Sequence, residues 1–168
     1  MLKSPIETPD ISSDHLKELF IYWQKIRADK SMPRRQDFSP ADVPHLLPYI
    51  SLVNVEYGND TEHTQQRYCC RLLGTETVKA LGKDVTGKYL DEVPEVSVLK
   101  ERFDWLVENK TPYFIRGQLV WSQKSFLNYE AVGLPLSNND SEVNIIMYGT
   151  CYQFPQDQKS PTFGVYPQ

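Results

Sequence analysis

The sequence predicts an α+β fold in which a five-stranded antiparallel sheet carries short helices on one face and is preceded by an amphipathic helix. Three observations lead there. Apolar residues recur at helical spacing near the start and again after residue 94. β-Branched and aromatic runs come first as a pair and later as a trio. Glycines punctuate the short segments between them. The 168 residues, 40% hydrophobic and 12% aromatic, suit one domain that can bury about 70% of its unfolded surface.

Residues 1–12, with Pro5 and Pro9 and no periodic pattern, are expected to form a loose leader. Helical spacing then sets in, with Leu16, Leu19, Phe20, Trp23 and Ile26 on one stripe. Ser13 is placed as the N-cap, Asp14 and Glu18 lie in the early turns, and Lys25 and Arg27 lie near the end, all in keeping with the helix dipole. Such a stripe needs a partner surface, because full burial of each large apolar side chain contributes about 1.5–3 kcal/mol. In the lead-in that follows, which completes a segment 13–48, Pro33, Pro40, Pro44 and Pro48 forbid one long helix. Ser39, Pro40 and Asp42 supply a cap, a first-turn proline and a capping-box acid, so a short helix is expected over 40–47.

The core is expected over 49–153. Strand-like runs cover 49–57 and 66–73, forming a hairpin across Gly58, Asn59 and Asp60. TETVKAL, closed by Gly82, reads as a short helix with Thr75 near its N-cap, and Gly74, Gly82 and Gly87 are expected at positive φ. A turn and a helical piece follow, then an amphipathic helix over 95–109 with Val96, Leu99, Phe103 and Leu106 on one face. Strands over 113–121, 126–136 and 143–153 close the sheet, and residues 154–168 are expected to be a mobile tail. In the first of these strands Tyr113, Ile115, Leu119 and Trp121 take one parity and Arg116 and Gln118 the other.

Composition narrows the function. With 18 Lys plus Arg against 22 Asp plus Glu, the net charge of −4 offers no basic field for nucleic acid. No apolar run approaches the roughly 20 residues of a membrane span, and no signal-peptide core is evident, so a cytoplasmic protein is expected. Cys69, Cys70 and Cys151 do not make a disulfide framework, since adjacent strand residues point to opposite faces; they are expected as reduced, mostly buried thiols. No P-loop, H-E-x-x-H, G-x-S-x-G or G-x-G-x-x-G word occurs, and Glu130 within a strand reads as solvent-facing. The expectation is a protein that is not an enzyme.

The block RLLGTETVKALGKDVTGKYLDEV resembles the PAS-domain stretch in which a strand ends at a glycine and short helices follow. Upstream, PRRQDFSPADVPHLLPYISLVNVE and the Trp23-x-x-x-Arg27 helix are similar to a family of small, stand-alone bacterial PAS proteins, with the likeness running from about residue 14 to 153. The resemblance implies a sensory or regulatory module that signals by contact with a further, unidentified signalling protein. It also implies a ligand-sized interior, without naming the ligand or cofactor. Leader helices of such modules commonly pair, so Leu16, Leu19, Phe20, Trp23 and Ile26 are assigned to a homodimer interface; the competing arrangement lays the helix over its own sheet. A ligand-free dimerisation or adaptor scaffold is the alternative function.

Haem-binding relatives usually carry a histidine in the long helix, and residues 95–109 contain none; His15, His45 and His63 fall elsewhere and read as solvated or capping residues. The reactive-cysteine helix of flavin photosensors is absent, and the implied strand order sets Cys69 and Cys70 about two strand spacings from Cys151, too far to bridge. Arg67 and Arg71 read as strand-edge arginines paired with Asp84 or Glu76, although Arg71 beside a helix N-terminus could hold an anion. Tyr68, Arg116, Gln118, Asn128 and Tyr129 are the strand polar groups that could face a cavity. The candidate binding set is therefore Tyr68, Arg71, Phe103, Arg116, Gln118 and Tyr129.

Overall fold

The structure, a computed structural model, describes residues 2–58, 66–122 and 125–154. The expected elements are present: helix α1 (Asp14–Arg27), strands β1 (Ile50–Glu56) and β2 (Arg67–Leu72), helices α2 (Thr75–Leu81) and α3 (Leu99–Asn109), and strands β3 (Tyr113–Ser122), β4 (Ser125–Leu136) and β5 (Ile145–Gln153). All neighbours are antiparallel, in the order β2-β1-β5-β4-β3. Strand alternation divides the apolar residues between the two faces of the sheet, and each face has its own core.

On the outer face lies α1. Ser13 caps it as expected, its hydroxyl accepting from Leu16 N. Leu16, Leu19, Phe20 and Trp23 are buried and Ile26 is partly so, packed with Leu52, Val132, Leu134 and Met147 of the same chain. Trp23 Nε1 donates to the Pro135 carbonyl at 3.0 Å. Gly149 lets the helix come close: a Cβ there would stand 2.5 Å from Leu19 Cδ2. The assignment of this stripe to a dimer interface is thereby corrected, because its side chains are already covered by their own sheet.

The leader is likewise tied down rather than loose. Lys3 and Phe114 exchange both backbone hydrogen bonds, at 2.8 and 3.0 Å, and Ile11 is buried. The proline-rich lead-in forms 3-10 turns at Arg35–Asp37, Pro40–Asp42 and Pro44–Tyr49 in place of one α-helical segment. Pro44 and Pro48 lack the N–H that an α-helix needs, so the chain closes i→i+3 bonds such as Asp42 N to Ser39 O and Leu46 N to Val43 O. Asp42 accepts from the Tyr22 hydroxyl at 3.2 Å, and Ser39 makes no side-chain cap.

The inner face is roofed by α2, α3 and two 3-10 turns, Leu90–Glu92 and Pro94–Val96. The second turn replaces the first part of the expected 95–109 helix, which starts at Leu99. Gly82 and Gly87 have φ of 69° and 85°. Gly74, by contrast, has φ −62°, and what it supplies is clearance: a Cβ there would meet the Pro48 and Ile50 carbonyls at 2.6 and 2.8 Å. At the left-handed Gly82, which closes α2 by donating to Val78 O, replacement by Val is expected to cost about 1 kcal/mol or more. Chemical denaturation checks this, and an unchanged midpoint contradicts it.

Candidate ligand cavity

Between the inner face of the sheet and the α2–α3 roof lies a cavity of about 420 Å³. The sheet floor carries Val53, Cys70, Leu119, Tyr129, Tyr148 and Tyr152, and the roof carries Leu81, Val85, Leu90, Val96 and Phe103. The walls are mainly apolar, with a few polar groups converging: Ser51, Thr77, Thr150, Arg102 and the tyrosines. Thr77 Oγ1 and Thr150 Oγ1 are hydrogen-bonded at 3.0 Å, joining α2 to β5. Ser51 Oγ accepts from Gly74 N at 3.1 Å, which holds the start of α2 against β1.

Three of the six expected binding residues border this space. Phe103 is fully buried, and its ring meets Tyr68 and Tyr148 edge-on, each at 5.4 Å between centroids. Tyr129 presents its hydroxyl beside Arg102. Gln118 borders the cavity, but alternation places its side chain on the face opposite Leu119, where the amide donates to Asn128 Oδ1 at 2.7 Å.

The other three stand elsewhere. Tyr68 packs behind Phe103 and donates to Asp104 Oδ1 at 2.6 Å; burial first, and then that carboxylate, push its phenol pKa up. Arg71 is exposed and does not border the cavity. Arg116 is on the outer face, where its Nε donates to Glu130 Oε1 at 2.7 Å and its Nη2 holds Asp10 O and Ser12 Oγ. Its removal from the cavity follows from parity, because Arg116 pairs across the ladder with Glu130 while Ile115 and Gly117 face inward. Glu130 is buried, not solvent-facing, and Oε2 accepts from the Ser12 and Ser13 amides at 3.2 and 2.9 Å.

Of the remaining titratable candidates, Arg67, Asp84, His15 and His45 take definite partners. Arg67 forms a two-point pair with Asp91, at 2.9 and 2.8 Å, and lies over the Tyr89 ring; neither Asp84 nor Glu76 holds it. Asp84 instead accepts from Thr86. His15 stacks on Tyr49, His45 Nε2 contacts Glu18 Oε1 at 2.8 Å, and His63 lies outside the described residues. Cys70 borders the cavity with its thiol pushed up to about 11 by burial, then by Cys69 and Asp84. Burial also raises Cys69 and Cys151. All three are free, with β1 between β2 and β5.

Arg102 escaped the sequence reading. It lies i+3 from Leu99 and i−4 from Leu106, on the apolar stripe of α3, and a cation in that position was the available signal. Its Nη1 donates to Tyr129 Oη at 2.7 Å. Burial works against the guanidinium's charge, but the Tyr129 hydrogen bond and the oxygens of Tyr148, Tyr129 and Tyr113 outweigh it and raise its pKa. Tyr148, Thr150 and Tyr152 alternate inward along β5 and were also missed, because a single strand does not reveal which of its faces meets the roof.

A five-stranded antiparallel sheet in this order, with a cavity beneath short helices, defines a sensory-module fold of the PAS type. The family model described as PAS domain matches residues 11–149, and the chain belongs to that family of sensory and regulatory modules. No curated protein and no solved structure matches it. Among the described residues, no helix is long and apolar enough to cross a membrane, and no cluster of His, Cys, Asp or Glu is arranged to hold a metal ion.

Proposed function

We propose that this PAS domain is a non-catalytic regulatory module that takes a small molecule into the cavity beneath α2 and α3 and relays its occupancy by contact with a signalling protein. The observation carrying this reading is the cavity, whose 420 Å³ falls within the roughly 300–1,000 Å³ of small-molecule sites. Its walls favour binding over catalysis. They offer hydroxyls and a guanidinium for orientation, while burial pushes the Cys70 thiol up to about 11, away from the nucleophilic thiolate. The roof supports a relay, because α2 and α3 touch the cavity with one face and solvent with the other, so an occupant that bears on Phe103 or Thr77 bears on the surface too.

Native mass spectrometry of the full chain tests this. The expected result is a retained small molecule, lost on denaturation, in a protein without visible absorbance. A Soret band or flavin spectrum overturns the uncoloured-ligand reading. No bound mass, together with no thermal stabilisation by any small molecule screened, overturns ligand binding in favour of an adaptor scaffold.

A further inference from the structure

Arg102 is a cation on a mainly apolar cavity wall. A long charged side chain at such a place is ordinarily paired or turned to water. Arg102 is half-buried, gives one N–H to Tyr129 Oη at 2.7 Å, and forms no ion pair with a carboxylate among the described residues. The neighbouring acids are engaged elsewhere. Asp104 accepts from Lys100 and from Tyr68, each at 2.6 Å, Glu101 is exposed, and Glu95 at the cavity's edge is paired with Lys83 at 2.6 Å. Near the guanidinium lie the phenols of Tyr113, Tyr129 and Tyr148. The Tyr113 hydroxyl among them is buried and has no hydrogen-bond partner among the described residues.

The Tyr129 bond engages one N–H of a guanidinium that has five, and an anion placed against it would make charge-assisted hydrogen bonds with the N–H groups Tyr129 leaves free. Tyr129 Oη already accepts from Arg102, so its own proton remains to donate. We propose that the cavity binds a small organic anion, a single carboxylate on an apolar or aromatic body, with Arg102 as its counter-charge and Tyr129 as a second donor. This rests on the cavity-binding reading and specifies its ligand. Val53, Leu73, Val85, Leu90 and Phe103 supply the surface for the apolar body. One guanidinium, with Lys83 already held by Glu95, matches one negative charge rather than a polyphosphate.

The test compares octanoate and phenylacetate with their uncharged amides, by calorimetry and thermal shift on the full chain. At least one acid is expected to bind wild type about tenfold or more tightly than its amide, equivalent to about 1.4 kcal/mol. Arg102→Gln is expected to lose that preference while still binding the amide, and Arg102→Lys to retain part of it. If Arg102→Gln does not fold, Tyr129→Phe serves in its place, with the acid weakened about threefold to tenfold and the amide unchanged. Equal binding of acid and amide to wild type, or an acid preference that survives in Arg102→Gln, overturns the anion assignment and leaves the cavity reading standing. Neither acid nor amide binding also overturns it, and retention of a neutral molecule in native mass spectrometry would show that the cavity reading survives on its own.

Discussion

Phe103→Ala is expected to lower the unfolding free energy by about 3–5 kcal/mol, the range for emptying a phenylalanine site in a packed core. Phe103 is fully buried, anchors α3 to the sheet through Tyr148, and packs edge-on against Tyr68 of β2. Its other side already borders a cavity of about 420 Å³, so truncation enlarges that space, and neighbouring atoms have little incentive to close in. A domain with a total stability of about 5–15 kcal/mol would be left near its unfolding threshold. Phe103→Leu, which keeps most of the volume, is expected to lose about 1.5 kcal/mol or less. Urea unfolding followed by circular dichroism measures both; a loss below about 1 kcal/mol for the alanine variant would contradict the packing described.

Glu130→Ala is expected to cost about 2–3 kcal/mol by releasing the N-terminal segment from the sheet. One carboxylate accepts from Arg116 Nε and from the Ser12 and Ser13 amides, the latter at the start of α1, where negative charge also favours the helix dipole. The loss falls below the full cost of breaking a buried pair because the Arg116 side chain is 57% exposed and can recover water. Burial pushes the Glu130 carboxyl up, but the hydrogen bonds from Arg116, Ser13 and Ser12 prevail and hold it below its ordinary value of 4.5. A carboxyl depressed on folding stabilises the fold above its unfolded pKa and loses that contribution as pH falls through the depressed value. The stability difference between wild type and Glu130→Gln should therefore be largest near neutral pH and shrink below about pH 4.5. A difference independent of pH between about 7 and 3 would rule out this role.

The elements of this PAS domain were legible because their signals are local. The α1 stripe, its Ser13 cap, the Gly82 stop and the alternation of β3 each involve residues within a few positions of one another. Part of the site was legible for the same reason: Phe103 stood on a helical stripe, and Tyr129 within an alternating strand. Where local rules conflicted, the sequence misled. Ser39, Pro40 and Asp42 suggested an α-helical start, but Pro44 and Pro48 removed the donors it required.

Distant partners decided the rest. Glu130 reads as a surface acid in its own strand, yet it is covered by amides 117 and 118 positions away. Arg116 alternates correctly to the polar parity of β3, but only the docking of the leader shows that this face is an N-terminal anchor and not the cavity. The α1 stripe demands burial in any fold. That its cover is the chain's own sheet follows from the Gly149 clearance and the Trp23 bond to Pro135, made 112 positions apart. Arg102 carries its charge in the sequence, but that it meets phenols and no acid among the described residues follows only once α3 is laid over Tyr129 and Tyr148. Periodicity and turn chemistry are set by backbone geometry over one or two turns, whereas the solvation and charge environment of a side chain depend on every segment folded against it.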